Sequence, residues 1–491
     1  MRKLLFLMPR IFLGQQADKN KRRESISAVF SRVPGFEMQM KARAMTGCEQ
    51  SGEGAGPSTL IKRAPAEMVR TEEAGSGVLK RHRDARHLRH ATMIRSACVS
   101  FFIVFFLSLA SVLFYQTQIL ESKKPYMREG LSKEARALHQ ACQALAQGTS
   151  EAFPEQPLAV LSEGLRCEDY VALNHYVTKP LSPEEVEFRL AYIFTLHKDF
   201  DMFERLFRAV YQPQNVYCVH VDEKSSDEFK EAIQKLVNCF PSAFLSSKTE
   251  PVVYGGISRL LADVHCMRDL VDHKWDYVIN LCGQDFPLMT NLEIIRHLKT
   301  FQGKNLTPGV LPPQHAVPRT KFVHKEHLEK EKSYVIRTTS LKSPPPHNIT
   351  IYFGSAYYAL THDFVRFVLE DQRAIDLLEW SKDTYSPDEH YWVTLNRMPD
   401  APNSMPSAAW EGNLKCIKWS DQKHDGCHGH YVRGICIYGT RDLMTLFQAR
   451  CLFANKFELQ KYPPTVECLE LRIREMALNQ SGTDVETDWY F

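Results

Sequence analysis

Val216-Tyr-Cys-Val-His-Val-Asp222, then Ser225-Ser-Asp-Glu-Phe-Lys-Glu-Ala-Ile-Gln-Lys-Leu-Val237: a short apolar run is followed directly by a segment with apolar residues at helical spacing. The first reads as a buried strand, and Phe229, Ile233, Leu236 and Val237 give the second a helix with one apolar face. Ser225 and Ser226 supply its cap. The same alternation extends both ways. Upstream, Phe188–Leu196 is a β-rich run, and Phe203, Leu206, Phe207 and Val210 repeat at helical spacing. Downstream, Ala243–Leu245 reads as a third strand, and Leu260, Leu261, Val264, Met267 and Leu270 mark a helix. Tyr277–Cys282 is a fourth strand, and Asn291-Leu292 opens another helix. Strands alternating with helices predict an α/β fold, a mostly parallel central sheet with helices on both faces. Ligands of such sheets sit at the carboxyl ends of the strands. Here those ends are His197, Asp222 and the loop Cys282-Gly-Gln-Asp-Phe-Pro287. There is no internal repeat, and neither glycine-rich phosphate-loop pattern occurs.

The chain has 491 residues, 44% hydrophobic and 24% charged, which allows two to four domains. Its formal charge of +3 conceals an asymmetry: residues 1–95 hold 19 Lys and Arg against 9 Asp and Glu, so the remainder is net acidic. A nucleic-acid-binding protein carries its positive charge on the folded part, so that class is excluded. Collagen, a wholly disordered chain and a multi-span membrane protein are excluded by composition.

From Ser96 to Leu120 no residue is charged, and about 20 apolar residues suffice to cross a bilayer core. The flank before this stretch is basic (Lys80, Arg81, Arg83, Arg86, Arg89, Arg95), and the flank after it opens with Glu121. The positive-inside rule then predicts a single-pass type II protein. Its parts are a largely disordered basic cytosolic tail (1–95), a transmembrane signal-anchor (96–116), a stem (117–140) and a lumenal catalytic domain (141–491). Eleven of the 13 cysteines lie beyond the span, with no Cys-x-x-Cys pair to suggest zinc. Disulfides in an oxidising lumen explain them better, and an odd number leaves at least one free thiol. Three glycosylation sequons, at Asn305, Asn348 and Asn479, fall on the same side.

Five motifs stand out in this region: Val216-Tyr-Cys-Val-His-Val-Asp222, Ile279-Asn-Leu-Cys-Gly-Gln-Asp-Phe-Pro287, Gly354-Ser-Ala-Tyr357, Thr384-Tyr-Ser-Pro-Asp-Glu389 and Leu452-Phe-Ala-Asn-Lys-Phe457. Together they resemble the core 2 β-1,6-N-acetylglucosaminyltransferase family, over about Cys142 to Cys468. The resemblance implies a GT-A-like fold and a Golgi membrane enzyme. Such an enzyme moves N-acetylglucosamine from UDP-GlcNAc to a 6-hydroxyl of a glycoprotein O-glycan, with inversion and without a metal or other cofactor. It admits a homo-oligomer.

Inverting transfer needs a base on the attacking hydroxyl and cations on the leaving diphosphate. The resemblance puts the base at Glu389 and the cations at Arg433 and Lys456. Ser386-Pro-Asp-Glu389 is equally a capping-box pattern with Pro at the first helical position, and the two roles are compatible. Asp199-Phe-Asp201 reads as a helix start rather than a metal motif. The resemblance puts Asp222 at the uracil and Trp419 at the acceptor sugar, although Trp419 fits a core position as well. It pairs Cys142–Cys468, Cys167–Cys239, Cys218–Cys266 and Cys427–Cys436, leaves Cys282 as the free thiol and assigns no partner to Cys416 or Cys451.

The chain departs from the family where other members grip their acceptor with Glu, Lys and Arg. Thr307, His315 and Pro318 fall at those positions, with Arg319 adjacent, and Asp421 replaces a tyrosine. His315 and Arg319 remain the candidate acceptor contacts. A glycan on Asn305 would crowd this cleft, although the following Pro308 disfavours it. The altered grip leaves three readings: an active transferase with an unusual acceptor, a catalytically silent or chaperone-like Golgi protein of the same fold, or a UDP-xylose-dependent relative.

Overall fold

The computed structural model describes residues 107–111, 133–149, 153, 165–329, 332–412 and 414–481. The chain divides into two units, 1–109 and 110–491, and the account below concerns the second. Of the 96–116 span, only 107–111 are described, as an exposed helical piece. The rest of the span and the basic tail lie outside the described residues. Among the described residues, no helix is long and apolar enough to cross a membrane. The folded body begins before residue 141: helix α1 (Lys133–Ala146) starts inside the expected stem, and its Leu138 is fully buried in the core.

The central sheet has five strands: β1 (Leu190–Leu196), β2 (Val216–Val221), β3 (Ala243–Leu245), β4 (Tyr277–Cys282) and β5 (Ala359–Thr361). Their spatial order is β5-β4-β1-β2-β3. β1 lies parallel to β2, with Ala191 opposite Val216, and parallel to β4, with Leu190 opposite Tyr277. β3 continues the parallel set, and only the edge strand β5 runs antiparallel. β1 is buried along its whole length because alternate residues feed two cores. Leu190, Tyr192, Phe194 and Leu196 join one core with helices α2 (Phe200–Val210), α3 (Asp227–Val237) and α8 (Pro463–Gln480). Ala191 and Ile193 join the other, with α4 (Ile257–Leu270), α6 (His362–Glu370) and α7 (Tyr391–Asn396). This is the mixed α/β architecture expected from the sequence, a mostly parallel sheet with helices on both faces.

The helix starts follow their cap residues. Asp199 accepts the Met202 N–H at 3.4 Å, and Ser226 accepts that of Phe229 at 3.3 Å. Thr290 and Glu293 close a full capping box at α5 (Asn291–Lys299). Among the described residues there are five disulfides. Cys142–Cys468 joins α1 to α8, Cys218–Cys266 joins β2 to α4, Cys167–Cys239 spans 72 residues and Cys427–Cys436 closes a short loop of 9. The two cysteines left without partners in the sequence bond to each other: Cys416 and Cys451 have their Cα atoms 5.7 Å apart. Among the described residues, Cys282 is the one free thiol.

One expectation needs correction here. Asn305 is fully buried, so its amide is unavailable for glycosylation. Its Nδ2 donates to the Pro402 carbonyl at 2.9 Å, and its Oδ1 accepts both the N–H and the hydroxyl of Thr361 at 2.9 Å. The sequon is a structural junction, and no glycan crowds the cleft from it. Asn348 and Asn479 are exposed. Thr307, at the position of an acceptor-gripping Glu, is buried too, and its hydroxyl is held by Asn396 at 2.8 Å and Arg397 at 3.3 Å.

Candidate active site

The carboxyl ends of β1, β2 and β4 gather charge. Asp222 ends β2, nearly buried, and its carboxylate accepts the Lys224 N–H at 2.9 Å and the Val252 N–H at 3.3 Å. The Lys224 amine lies 2.8 Å from both of its oxygens. Nearby, burial and then the Lys198 charge push the His197 imidazole down, with Asp222 opposing them and Lys456 and Lys224 adding to them. Lys456 also bears on Cys282 at the end of β4, so one cation reaches two strand ends. A buried frame fixes the segment carrying it. Asp285 accepts from Asn455 Nδ2 at 2.8 Å, from the Cys282 N–H at 2.6 Å and from Lys415 at 2.6 Å.

Arg433 sits in the turn between strands His430–Val432 and Ile435–Ile437, at φ 52°, with the Cys427–Cys436 bridge closing the loop. Its guanidinium stacks 4.7 Å from the Tyr254 ring centroid. Among the described residues no carboxylate lies within ion-pair distance of Arg433 or Lys456, whereas Lys415, Lys418 and Arg259 all have acidic partners. Cations left without an acidic partner suit an anionic ligand.

Glu389 lies at the end of the short 3₁₀ turn Pro387–Glu389. Its carboxylate pairs with Arg319, the two side chains being 30% and 25% exposed. Burial pushes the Glu389 carboxyl up, and the Arg319 charge partly opposes that. The preceding Asp388 is buried and pushed up to about 7, by burial first and then by Glu389, against the pull of Arg259. Tyr254, 61% exposed, lies within electrostatic reach of Glu389, Tyr385 and Arg433 and so links the carboxylate to the cation.

The capping box expected at Ser386 does not form. Ser386 adopts φ 48°, ψ 60° and makes no side-chain cap. Its carbonyl accepts the Glu389 N–H at 3.0 Å, and the short 3₁₀ turn Pro387–Glu389 follows, with α7 starting only after it. The strained corner, tied by the Ser386 N–H to the Gly255 carbonyl at 2.7 Å, turns Glu389 toward Arg319 instead of into a helix start.

The candidate acceptor contacts separate. Arg319 is at the base itself, with its guanidinium 5.1 Å from the Phe353 ring and 5.4 Å from Tyr385. His315 is exposed, and its ring meets Phe353 edge-on at 5.8 Å. Trp419 stays with the Arg433 loop: it is half-buried, bridges Ile435 and accepts from His424 Nε2 at 3.0 Å. Tyr254, Phe353 and Trp410 were not singled out from the sequence, because isolated aromatics carry no signal of exposure.

Asp199-Phe-Asp201 is the helix start it resembles, with Asp201 accepting from Gln460 at 3.1 Å. One other cluster, Asp425, His428 and Asp442, has ligand-like spacing. The Lys418 amine sits in it already, 2.5 Å from Asp425 and 2.9 Å from Asp442.

The family model described as Core-2/I-Branching enzyme matches residues 190–447, from the first residue of β1 past the Arg433 turn. The chain belongs to the core-2/I-branching enzyme family. It is 59% identical over 388 residues to human N-acetyllactosaminide β-1,6-N-acetylglucosaminyl-transferase, covering 78% of this chain and 96% of that one. It is 53% identical over 323 residues to the human probable β-1,3-galactosyl-O-glycosyl-glycoprotein β-1,6-N-acetylglucosaminyltransferase 7, covering 65% of this chain and 75% of that one. Human β-1,3-galactosyl-O-glycosyl-glycoprotein β-1,6-N-acetylglucosaminyltransferase 3 is 41% identical over 330 residues, covering 64% and 74%. These core-2/I-branching relatives are named β-1,6-N-acetylglucosaminyltransferases, and this chain is an enzyme of that class. The family match embraces Glu389 and Arg433, while Lys456 lies beyond its end.

Proposed function

We propose that the protein transfers N-acetylglucosamine from UDP-GlcNAc to the 6-hydroxyl of an acceptor glycan, with inversion and without a metal. One observation carries this reading: Glu389, a carboxylate raised by burial, and Arg433, a cation without an acidic partner among the described residues, both bear electrostatically on Tyr254, over whose ring the Arg433 guanidinium lies. Ionised Glu389 takes the proton from the attacking 6-hydroxyl. The oxygen adds to the anomeric carbon as the bond to UDP breaks on the opposite face. Arg433 and Lys456 take the charge that develops on the leaving diphosphate, the role a metal has in other transferases. Asp222 holds the uracil. Asp199 serves as a cap, and Lys418 sits among Asp425, His428 and Asp442, so these carboxylates are already engaged.

The acceptor is an O-glycan or N-acetyllactosamine-type chain, the two classes that the relatives' names print. Five disulfides and the apolar stretch 96–116 support a Golgi membrane enzyme of type II topology, with the folded unit in an oxidising lumen.

The test uses the full chain in detergent with labelled UDP-GlcNAc, excess EDTA and both acceptor classes. The expected product is a β-1,6 branch, formed by the wild type and lost in Glu389→Gln. Transfer by the Gln variant at the wild-type rate refutes the base. Abolition by EDTA, restored by a divalent ion, refutes the metal-free reading.

A further inference from the structure

The proposed chemistry leaves an apolar patch beside Glu389 unused. Strands Gly309–Val310 and Phe353–Gly354 pair antiparallel with Val310 opposite Phe353, so these two side chains share a face. The Phe353 ring lies 6.2 Å from that of Trp410 and 5.1 Å from the Arg319 guanidinium, which pairs with Glu389. An unbroken line of contacts thus runs from the base outward through Arg319 and Phe353 to Trp410. At its far end the chain leaves large apolar groups in water: Trp410 is 57% exposed and Val310 40%.

Exposure here does not mean looseness. The two short strands approach so closely that a Cβ on Gly354 would stand 2.2 Å from the Pro308 carbonyl, and one on Gly309 2.6 Å from that of Phe353. Arg397 is buried behind them. Its Nη2 donates to the carbonyls of Thr307 and Gly309 at 3.1 Å and of Ala409 at 3.5 Å. The Gly309 N–H donates to the same Ala409 carbonyl at 3.2 Å. One guanidinium therefore ties the strand under Val310 to the residue just before Trp410. The exposed ring stands on a fixed backbone, so little ordering is left for a ligand to impose.

We infer that Trp410 is an acceptor subsite. Its ring packs on the apolar C–H face of the sugar next to the one whose 6-hydroxyl is attacked, with Phe353 and Val310 continuing the platform. A sugar ring has one such face rimmed by hydroxyls, and an exposed aromatic flanked by polar groups matches it. Trp410 does not touch Glu389, because Arg319 and Phe353 intervene. It therefore reads the second sugar, and the enzyme selects acceptors of at least two residues. Buried Arg397 is the positioning residue for this platform. The inference rests on Glu389 marking the attacked sugar.

The test measures binding, which does not depend on turnover. Full-length protein in detergent, saturated with UDP, is titrated by calorimetry with mono-, di- and tetrasaccharides of the galactose and N-acetylglucosamine series. Wild type, Trp410→Ala, Trp410→Phe and Glu389→Gln are compared, with equal unfolding midpoints as the check on folding. Wild type is expected to bind the disaccharide at least about tenfold more tightly than the monosaccharide, the gain typical of one stacked aromatic. Trp410→Ala should lose that gain and leave monosaccharide affinity unchanged, and Trp410→Phe should keep most of it. Glu389→Gln should keep it while failing to transfer. A gain that survives in Trp410→Ala, or a wild type that binds no saccharide or ignores length, overturns the subsite. Length-dependent binding without transfer by the wild type overturns the catalytic reading alone.

Discussion

Arg319→Gln probes the ion pair on which base catalysis depends. Burial raises the Glu389 carboxyl and Arg319 opposes it, so removing Arg319 leaves burial unopposed. A base works only when ionised, and the acid limb of kcat/KM must therefore move to higher pH. Two unit charges about 4 Å apart attract by about 4 kcal/mol at an effective dielectric constant of about 20. With the partners 25% and 30% exposed, water screens much of this. A third of it, about 1.4 kcal/mol, is a reasonable remainder, equivalent to about one pH unit. The assay is the pH profile of kcat/KM for transfer from UDP-GlcNAc at saturating donor. Arg319→Lys should keep the limb near its wild-type position, since the charge remains. A limb that stays in place in Arg319→Gln, or moves to lower pH, refutes the assignment of Glu389 as the group titrating there.

Arg433→Met and Lys456→Met should each lower kcat by about 10²- to 10³-fold and weaken UDP binding, since each removes a fixed charge from the leaving group; single-turnover kinetics and UDP titration check this. In the α2–α8 core, Glu470 binds Arg205 at 2.9 Å and Arg208 at 2.7 Å. Burial pushes its carboxyl up, but Arg208, Arg205 and Arg474 outweigh that and hold it at about 2. The stability it contributes is therefore present above the ordinary carboxylate range and fades as pH falls from there toward 2. Glu470→Leu should cost about 3–5 kcal/mol by denaturant unfolding, because it leaves arginines buried. Replacing Cys427 and Cys436, nine residues apart, by Ser should cost about 2.5 kcal/mol by the loop-entropy relation. Transfer should fall further than that loss explains, because the bridge closes the turn carrying Arg433. Peptide mapping after glycosidase treatment should find no glycan on Asn305 in secretory-pathway material.

The four parallel strands were legible because their information is local, each a short apolar run, and the caps Asp199 and Ser226 lie within three residues of the N–H groups they accept. The antiparallel edge strand β5, three residues long, was not. The site was legible only in part. Glu389, Arg433 and Lys456 stood out through motif resemblance, but their surroundings come from far along the chain: Arg319 reaches Glu389 across 70 residues. The Ser386-x-x-Glu389 spacing misled for a physical reason. The pattern fixes only residue types and spacing, whereas the backbone corner at Ser386 (φ 48°, ψ 60°) leads into a 3₁₀ turn and its side chain makes no cap hydrogen bond. The Asn305 sequon misled similarly, since a three-residue pattern says nothing of burial. Cys416 and Cys451 paired only once folding set their distance.

The Cys142–Cys468 bridge spans 326 residues and turns nearly all of the folded unit into a covalent ring. A protease cut anywhere inside that ring, the exposed ends of the Phe322–Leu328 and Ser333–Leu341 hairpin included, would leave both pieces tethered. Mechanical load behaves likewise. Tension between the amino end and the residues after Cys468 would pass across one sulfur–sulfur bond and bypass the strands that carry the catalytic groups.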